Sequence, residues 1–412
     1  MSTWQSTLNK TILNTELREE VKQDYFWDMF TGISQQSKAG KWIPSGSPIE
    51  RFMGFKVTGR NNTVLPMIRN VFGYGRVGKA PLVSHEKELS YLYFKLWIHL
   101  LRFGVLPPNQ VDAEIMAWAD MANAVKKQLV NWWAGYLNHD VTRAYLEGYS
   151  KHITDAVVDE GLGITKQYPK NFWVYDDGGK DFSNSPTYTY NQTTYKAAII
   201  DKLKAAPTAA DVFNVDTLEA LPPLISYSNI TPWTVDGEKV YVLIINSRQM
   251  KTLRQDSEWQ NAVARAANRG KTNPIFKYAV AYWGKFIIYV DDVVARIAYA
   301  CDDTSEVLNF FDYDAGVLQA DSVGMYAKVQ SPDPTEDQNY ACALLLGQSS
   351  MAEGLFSDLK YAEEKLDYSM ITGIGSSRYY AYARMDYFDE ELTTVGTAQQ
   401  NPQMAVIATV VS

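Results

Sequence analysis

Between Leu89 and Leu100 the chain alternates strictly. Leu92, Phe94, Leu96, Ile98 and Leu100 interleave with Tyr91, Tyr93, Lys95, Trp97 and His99, a period of two that predicts a strand rather than a helix. The segment Thr63–Val71 precedes it, with a glycine loop Gly73–Gly78 between them, so the simplest structure is a long two-stranded ribbon. Isolated ribbons are marginal in water, and this one should lie on a partner or on another part of the fold. After Pro107-Pro108 the period changes: Asn109 can cap a helix on which Val111, Ile115, Trp118, Ala122, Val125, Leu129, Trp132 and Tyr136 recur in steps of three and four. Carried to Glu147, ahead of Gly148, this helix would run about 55 Å at 1.5 Å per residue.

Elsewhere the pattern is patchier. Residues 1–50 are polar with scattered aromatics (Trp4, Tyr25, Phe26, Trp27, Phe30), which predicts an arm with one short helix near Glu16–Phe30 that packs against something else. Residues 165–225 mix tyrosines with Gly, Asn, Asp and Ser and end at Pro222-Pro223, reading as an irregular, surface-exposed insertion with a short helix near Lys196–Ala205. From Val240 the chain returns to α/β character. A strand spans 240–246, helices span about Ser247–Arg254 and Ser257–Arg269 (the latter capped by Asp256), and a strand spans Phe286–Val290. A last helix near Gln338–Gly354 and strands at 378–388 and 405–411 close the pattern; no internal repeat is visible.

With 412 residues, 46% hydrophobic and 13% aromatic, the chain can bury a sizeable core. Its amino-terminal twenty residues lack an apolar core, and no apolar run approaches the roughly 18 residues of a membrane span. A soluble chain without a secretory address is expected. Cys301 and Cys342 have no paired spacing and read as ordinary buried thiols, and three Asn-x-Thr matches read as chance. The net charge of -8 is uneven: residues 301–370 hold 14 acids against 3 bases, whereas residues 248–285 hold 8 bases against 2 acids. Such opposite patches suit head-to-tail contact between copies, or are simply two solvated faces. Neither is rich enough to argue for specific nucleic-acid recognition.

Reaction chemistry finds little support. Gly73-Tyr74-Gly75-Arg76-Val77-Gly78 matches GxGxxG, but Lys79-Ala80-Pro81 follows where a phosphate-binding helix should begin, so a turn at the ribbon tip is the better reading. His85, His99, His139 and His152 share no metal-ligand spacing, and the doublets Asp176-Asp177, Asp291-Asp292 and Asp302-Asp303 lack the glycine turn of a calcium loop. Trp118, Trp132 and Trp133 read as packing residues. No catalytic, cofactor or metal site is expected.

One block is more specific. Leu253–Asp292 runs from a Trp-bearing helix into Asn273-Pro274-Ile275-Phe276 and then into a hydrophobic strand ending in paired aspartates. Together with Trp27–Gly32, the glycine loop followed by Leu82 and Glu86–Leu89, the expected helix with Leu344–Gly347 and the strand region Asp367–Ile374, it resembles the major capsid proteins of tailed bacteriophages typified by N-four-like podophages. The likeness covers some two thirds of the chain in the family's order, and residues 165–225 are the least family-like.

That resemblance implies an α+β fold of the Hong Kong 97 type. Its parts would be an N-terminal arm (1–54), an E-loop (55–105), a peripheral domain with a spine helix (106–164), the Tyr-rich insertion (165–232), a mostly axial domain (233–375) and C-terminal strands completing the peripheral domain (376–412). It implies no enzyme but a shell protein that assembles as hexamers and pentamers around double-stranded DNA, made in the bacterial host cytoplasm. Portal, scaffolding and cement proteins would be its partners, contact with DNA would be non-specific, and no membrane would be involved. Subunit contacts are expected at Trp27 and Phe30 of the arm and at Tyr74, Arg76 and Lys79 of the ribbon tip. The rival readings are an encapsulin-like compartment, an α/β nucleotide-binding enzyme, and a tail or decoration protein.

Overall fold

The computed structural model describes residues 15–36, 42–53, 62–68, 91–105, 121–153, 169, 171–176, 181–183, 212–228, 230–265, 281–291, 297–301, 306–310, 327–329, 338–366, 371–386, 388–389 and 403–410. The chain starts with helix α1 (residues 15–24) and a 3-10 turn (Phe26–Phe30), then strands β1 (Thr31–Gln36), β2 (Trp42–Ile43) and β3 (Ile49–Met53). The ribbon follows as β4 (Asn62–Ile68) and β5 (Tyr91–Trp97), then β6 (His99–Val105) and the long helix α2 (Met121–Glu147). Next come β7 (Phe172–Asp176), β8 (Asp181–Ser183), α3 (Val215–Ser228), β9 (Trp233–Val235), β10 (Glu238–Ile245), α4 (Ser247–Gln255) and α5 (Ser257–Arg265). Strands β11 (Ala281–Trp283), β12 (Phe286–Val290), β13 (Ile297–Cys301), β14 (Glu306–Phe310), β15 (Ala327–Val329), β16 (Gln338–Leu346), β17 (Met351–Leu366), β18 (Ile371–Arg384), β19 (Phe388–Asp389) and β20 (Met404–Val410) complete it.

Two sheets dominate. A six-stranded sheet has the order β2-β1-β3-β17-β18-β6, and a nine-stranded sheet carries the path β11-β12-β10-β16-β20-β7-β8 with β9 and β15 at its sides. The ribbon forms as expected, β4 and β5 pairing antiparallel from Asn62↔Trp97 to Ile68↔Tyr91. Its period of two is real: Phe94, Leu96 and Ile98 are buried, and they pack with Phe52, Ala352, Ala381 and Ala383 of the six-stranded sheet. The return strand nevertheless divides at Ile98, and β6 leaves the ribbon to pair with β18. Gly354 permits the ribbon to lie this close, because a Cβ there would stand 3.0 Å from the Ile98 side chain.

Helix α2, about 40 Å of the expected spine, lies against the other face of that sheet. Trp132 stacks on Phe103 of β6, with ring centroids 3.7 Å apart, and Trp133 is buried with its indole N–H donating to Ser376 of β18. Both tryptophans are packing residues. Gly148 takes the left-handed conformation (φ 94°) that ends the helix, and its N–H donates to the Ala144 carbonyl. One continuous core joins α1, α2, the six-stranded sheet and one face of the nine-stranded sheet.

The nine-stranded sheet is covered on both faces. Val242 and Ile244 of β10, Cys342, Leu344 and Leu346 of β16, and Met404, Val406 and Ala408 of β20 face the spine side. Their neighbours Leu243, Ile245, Ala343, Leu345, Ala405 and Ile407 face a second core closed by α3, α4 and α5. This double burial corrects the expected helix at Gln338–Gly354, which is β16 and the start of β17. A strand buried on both faces loses its alternation and reads as a continuous apolar run.

Three further expectations change. The 165–232 segment is no surface insertion at its ends, since Trp173 and Tyr175 of β7 are buried and β7 pairs parallel with β20. Pro222 and Pro223 do not end the segment but lie on the exposed side of α3, where water can donate to the carbonyls that lose their N–H partner. The two C-terminal strand regions separate: β18 lies on α2, while β20 sits between β16 and β7 in the other sheet. The expected helix near Lys196–Ala205 lies outside the described residues.

Candidate assembly surfaces and the charged core

The arm is the first place to look for contacts, and its aromatics turn inward. Trp27 and Phe30, expected to meet a neighbouring subunit, are fully buried in this chain's own core. The Trp27 ring lies 5.4 Å from that of Tyr145 on α2, and Phe30 meets Tyr289 of β12 edge-on at 4.9 Å. The expectation was right that the arm cannot bury these side chains by itself and wrong about which surface takes them. Helix α1 supplies the missing signal: Leu17, Val21 and Tyr25 face the core at helical spacing and bring the aromatics with them. Tyr74, Arg76 and Lys79 lie outside the described residues, as does the glycine loop; its flanking strands are antiparallel ribbon partners, not the strand and helix of a dinucleotide site.

An alternating chain of charges secures the arm. Arg18 of α1 lies 3.6 Å from Asp358 of β17, Asp358 is 3.5 Å from Arg378 of β18, and Arg378 is 3.0 Å from the carboxylate of Glu353. Arg51 of β3 takes the other Glu353 oxygen at 2.7 Å and reaches Asp28 of the 3-10 turn at 3.4 Å. Glu353 is wholly buried, whereas Arg18 and Asp28 at the two ends are partly exposed. Burial opposes the charge on Arg51, but the Glu353 carboxylate outweighs it and holds the guanidinium above its ordinary range. Arg378 is likewise held up against burial by Tyr382, Glu353 and Asp358. The Tyr25 hydroxyl donates to that of Tyr382 at 3.0 Å, and burial pushes the Tyr25 ionisation well above its ordinary value. At the surface Lys126 of α2 meets Glu16 and Glu20 of α1, each at 3.0 Å.

A second buried carboxylate works without a cation. Glu50 of β3 accepts from Ser34 Oγ (2.6 Å), from the backbone N–H and hydroxyl of Ser45 (both 2.8 Å), from the Gly46 N–H (2.9 Å) and from Ser349 Oγ (2.8 Å). Five donors make a charge-assisted network that replaces hydration.

The remaining chemical candidates become structural. Asp140 of α2 accepts from Tyr380 Oη and the Lys151 N–H and lies 3.7 Å from His152 Nδ1, while His152 Nε2 donates to the Tyr380 carbonyl. This fastens the segment after the spine to β18. Asp256 caps two helices, accepting from the Val215 N–H at the start of α3 and from the Glu258 N–H in α5. The open, acid-edged cleft of about 440 Å³ beside it, lined by Asn214, Asp216, Thr252 and Glu258, is the space left between these helix ends. Burial pushes the Cys342 thiol up to about 12. Among the described residues no cluster of three His, Cys, Asp or Glu side chains could hold a metal ion, and no helix is long and apolar enough to cross a membrane. Of the basic and acidic stretches, Arg248, Lys251 and Arg254 on α4, and Glu353 and Asp358 on β17, lie among the described residues, but residues 311–326 do not.

What the sequence missed is an apolar patch at a sheet edge. Ile33 of β1, Ile43 of β2 and Met53 of β3 are 58%, 55% and 47% exposed. Strand register places them on one face around the exposed Gln35, since Gln35 pairs with Ile43 and Ile33 with Arg51. Among the described residues no strand pairs with the outer side of β2. Edge strands with exposed apolar side chains are surfaces that pair or aggregate unless covered. A second pair, Phe356 and Tyr379, is 40% exposed at each ring on the hairpin β17–β18, with centroids 5.7 Å apart.

Comparison with known proteins gives a consistent picture. A family model for phage capsid protein matches residues 188–410. The solved capsid of Ralstonia phage GP4 aligns with 94% of this chain and 91% of its own at 16% identity and a TM-score of 0.60. The capsid asymmetric unit of cyanophage Pam1 aligns over 93% and 92% at 14% identity and a TM-score of 0.58. The acid-stable capsid of Helicobacter pylori bacteriophage KHP30 aligns over 94% and 91% at 10% identity and a TM-score of 0.56. No curated protein matches the sequence.

Proposed function

Because this chain belongs to the phage capsid protein family and serves as a major capsid protein, we propose that it does so by closing on itself as hexamers and pentamers into an icosahedral shell around double-stranded DNA. The geometric observation that carries this reading is the apolar patch of Ile33, Ile43 and Met53 beside the open edge of β2. A lone subunit would leave that surface in water; a neighbouring copy removes it. The ribbon tip with Tyr74, Arg76 and Lys79 is proposed as a second contact, and Trp27 and Phe30 are withdrawn from that role.

In this reading the peripheral domain comprises α2 with the six-stranded sheet, and the axial domain comprises the nine-stranded sheet with α3, α4 and α5. Portal, scaffolding and cement proteins would share the assembly, and synthesis would take place in the host cytoplasm. A chain with net charge -8 suits a container whose DNA must leave, because few phosphates are neutralised at its wall. Electron microscopy beside sizing chromatography tests the proposal. Wild-type chain, with its scaffold if required, should form closed shells, and Ile33→Lys with Ile43→Lys should cut shell yield at least tenfold while leaving the melting temperature in place. A compact monomer whose melting responds to nucleotide would refute it.

A further inference from the structure

We propose that the arm sets the angle between the two sheets, and with it the curvature of the shell, through a clamp at Glu50 and a wedge at Phe30; the inference rests on the shell reading above. The chain passes from one sheet to the other across Gly347–Ser350, the four residues between β16 and β17. This crossing has unusual backbone demands. A Cβ on Gly347 would collide with the Thr231 carbonyl oxygen, and Ser349 sits in the left-handed region at φ 52°. Such a short crossing is where a hinge between two rigid sheets belongs.

The crossing is held from both sides. On the side of the nine-stranded sheet, Gly347 N–H donates to the Gln403 carbonyl and Gln348 N–H to that of Thr231, both at 2.9 Å. On the other side the grip comes from the arm. Ser349 N–H donates to the Ser47 carbonyl at 2.9 Å, Ser350 N–H to that of Pro48 at 2.8 Å, and Ser349 Oγ to the Glu50 carboxylate at 2.8 Å. Glu50 is itself fixed by the four donors from Ser34, Ser45 and Gly46, so the hinge is tied to a rigid post.

Beside the core that the two sheets share, a second grip of the arm bears on the angle. The second lies away from the axis: Phe30 meets Tyr289 of β12 at 4.9 Å and Phe26 meets it at 6.3 Å, so the 3-10 turn stands between the six-stranded sheet and the nine-stranded one. The turn cannot slide. Asn138 of α2 accepts from the Phe26 N–H and donates to the Asp24 carbonyl, and the Thr31 hydroxyl donates to the Trp27 carbonyl. Two separated contacts on a hinged body determine its angle. In a closed shell that angle is repeated in every subunit, so a small change in it becomes a change of diameter.

The test compares full-length Ser349→Gly, which keeps the left-handed backbone and deletes the tie to Glu50, and Phe30→Leu, which thins the wedge, with Leu253→Ala in the second core. Shell diameters are measured by electron microscopy, melting by calorimetry, and amide exchange at residues 348–351 in unassembled subunits by mass spectrometry. Ser349→Gly and Phe30→Leu should both exchange there at least about tenfold faster and give shifted or broadened diameters, while Leu253→Ala melts earlier with wild-type diameters. Wild-type diameters in both Ser349→Gly and Phe30→Leu would overturn the proposal. If a variant forms no shells, unchanged exchange at 348–351 overturns it and accelerated exchange supports it. A wild-type chain that never forms curved assemblies, with or without scaffold, sinks the shell reading itself.

Discussion

Glu353 shows what a single residue decides in this molecule. Its carboxylate is wholly buried between Arg51 and Arg378 and is nearer to each, at 2.7 and 3.0 Å, than their second partners Asp28 and Asp358 at 3.4 and 3.5 Å. Glu353→Gln keeps the shape and removes the charge, so it should destabilise the subunit by about 3 kcal/mol, read by urea unfolding, because two guanidinium groups remain desolvated. Replacing Glu353 with Leu and both Arg51 and Arg378 with Met together should recover much of that loss. A change below about 0.5 kcal/mol in the single variant would mean that water reaches the cluster. Nothing in the sequence marks Glu353: it stands 302 residues from Arg51, and its neighbours Ala352 and Gly354 carry no motif.

Among the elements, the spine shows an end that depends on distant support. Arg384 of β18, fully buried, donates to the Tyr145 carbonyl at 2.7 Å and to that of Leu146 at 3.5 Å, and its other nitrogens bind both oxygens of Asp386. The guanidinium thus satisfies last-turn carbonyls that a helix cannot satisfy alone. Arg384→Met should cost on the order of 3 kcal/mol and let amides 144–148 exchange early, while the ribbon keeps its protection. Equal exchange in variant and wild type would assign the helix end to Gly148 instead. The same scale shows what pattern can read. Alternation located β5 because one of its faces is covered, and three-and-four spacing located α2, with Leu129, Trp132 and Tyr136 packed as expected. Alternation failed at β16, where Ala343 and Leu345 are as buried as Cys342, Leu344 and Leu346. Two-sided cover is a property of the neighbours, not of the strand.

At the scale of the whole molecule, buried phenols and a buried thiol make stability depend on alkaline pH. Burial pushes the ionisations of Tyr25, Tyr145, Tyr149, Tyr380 and Tyr382 above their ordinary value of 10.0, and that of Cys342 from 9.0 to about 12. These groups keep their protons when folded and lose them first when unfolded. Their contribution is therefore complete below pH 9.0 and falls as pH rises beyond it. Alkaline titration followed by circular dichroism should give cooperative unfolding that starts above about pH 10, with tyrosinate absorbance appearing together with the loss of structure. Gradual phenolate absorbance while the fold persists would show that these rings are open to water. Cys342 should resist alkylation at pH 8 until denaturant is added.

The amino-acid order alone determined the local periods, the capping of α5 by Asp256, the glycine end of the spine and a likeness to phage capsid proteins, because each of these is written in residues close together or in a recurring sequence of segments. Only the tertiary structure decided that the arm's aromatics enter their own chain's core, that β20 joins the nine-stranded sheet, and that Arg51, Glu353 and Arg378 meet. An exposed apolar face specifies that it must be covered but not by which partner. That choice is made among segments hundreds of residues apart, by packing and charge compensation that appear only once all of them are in place.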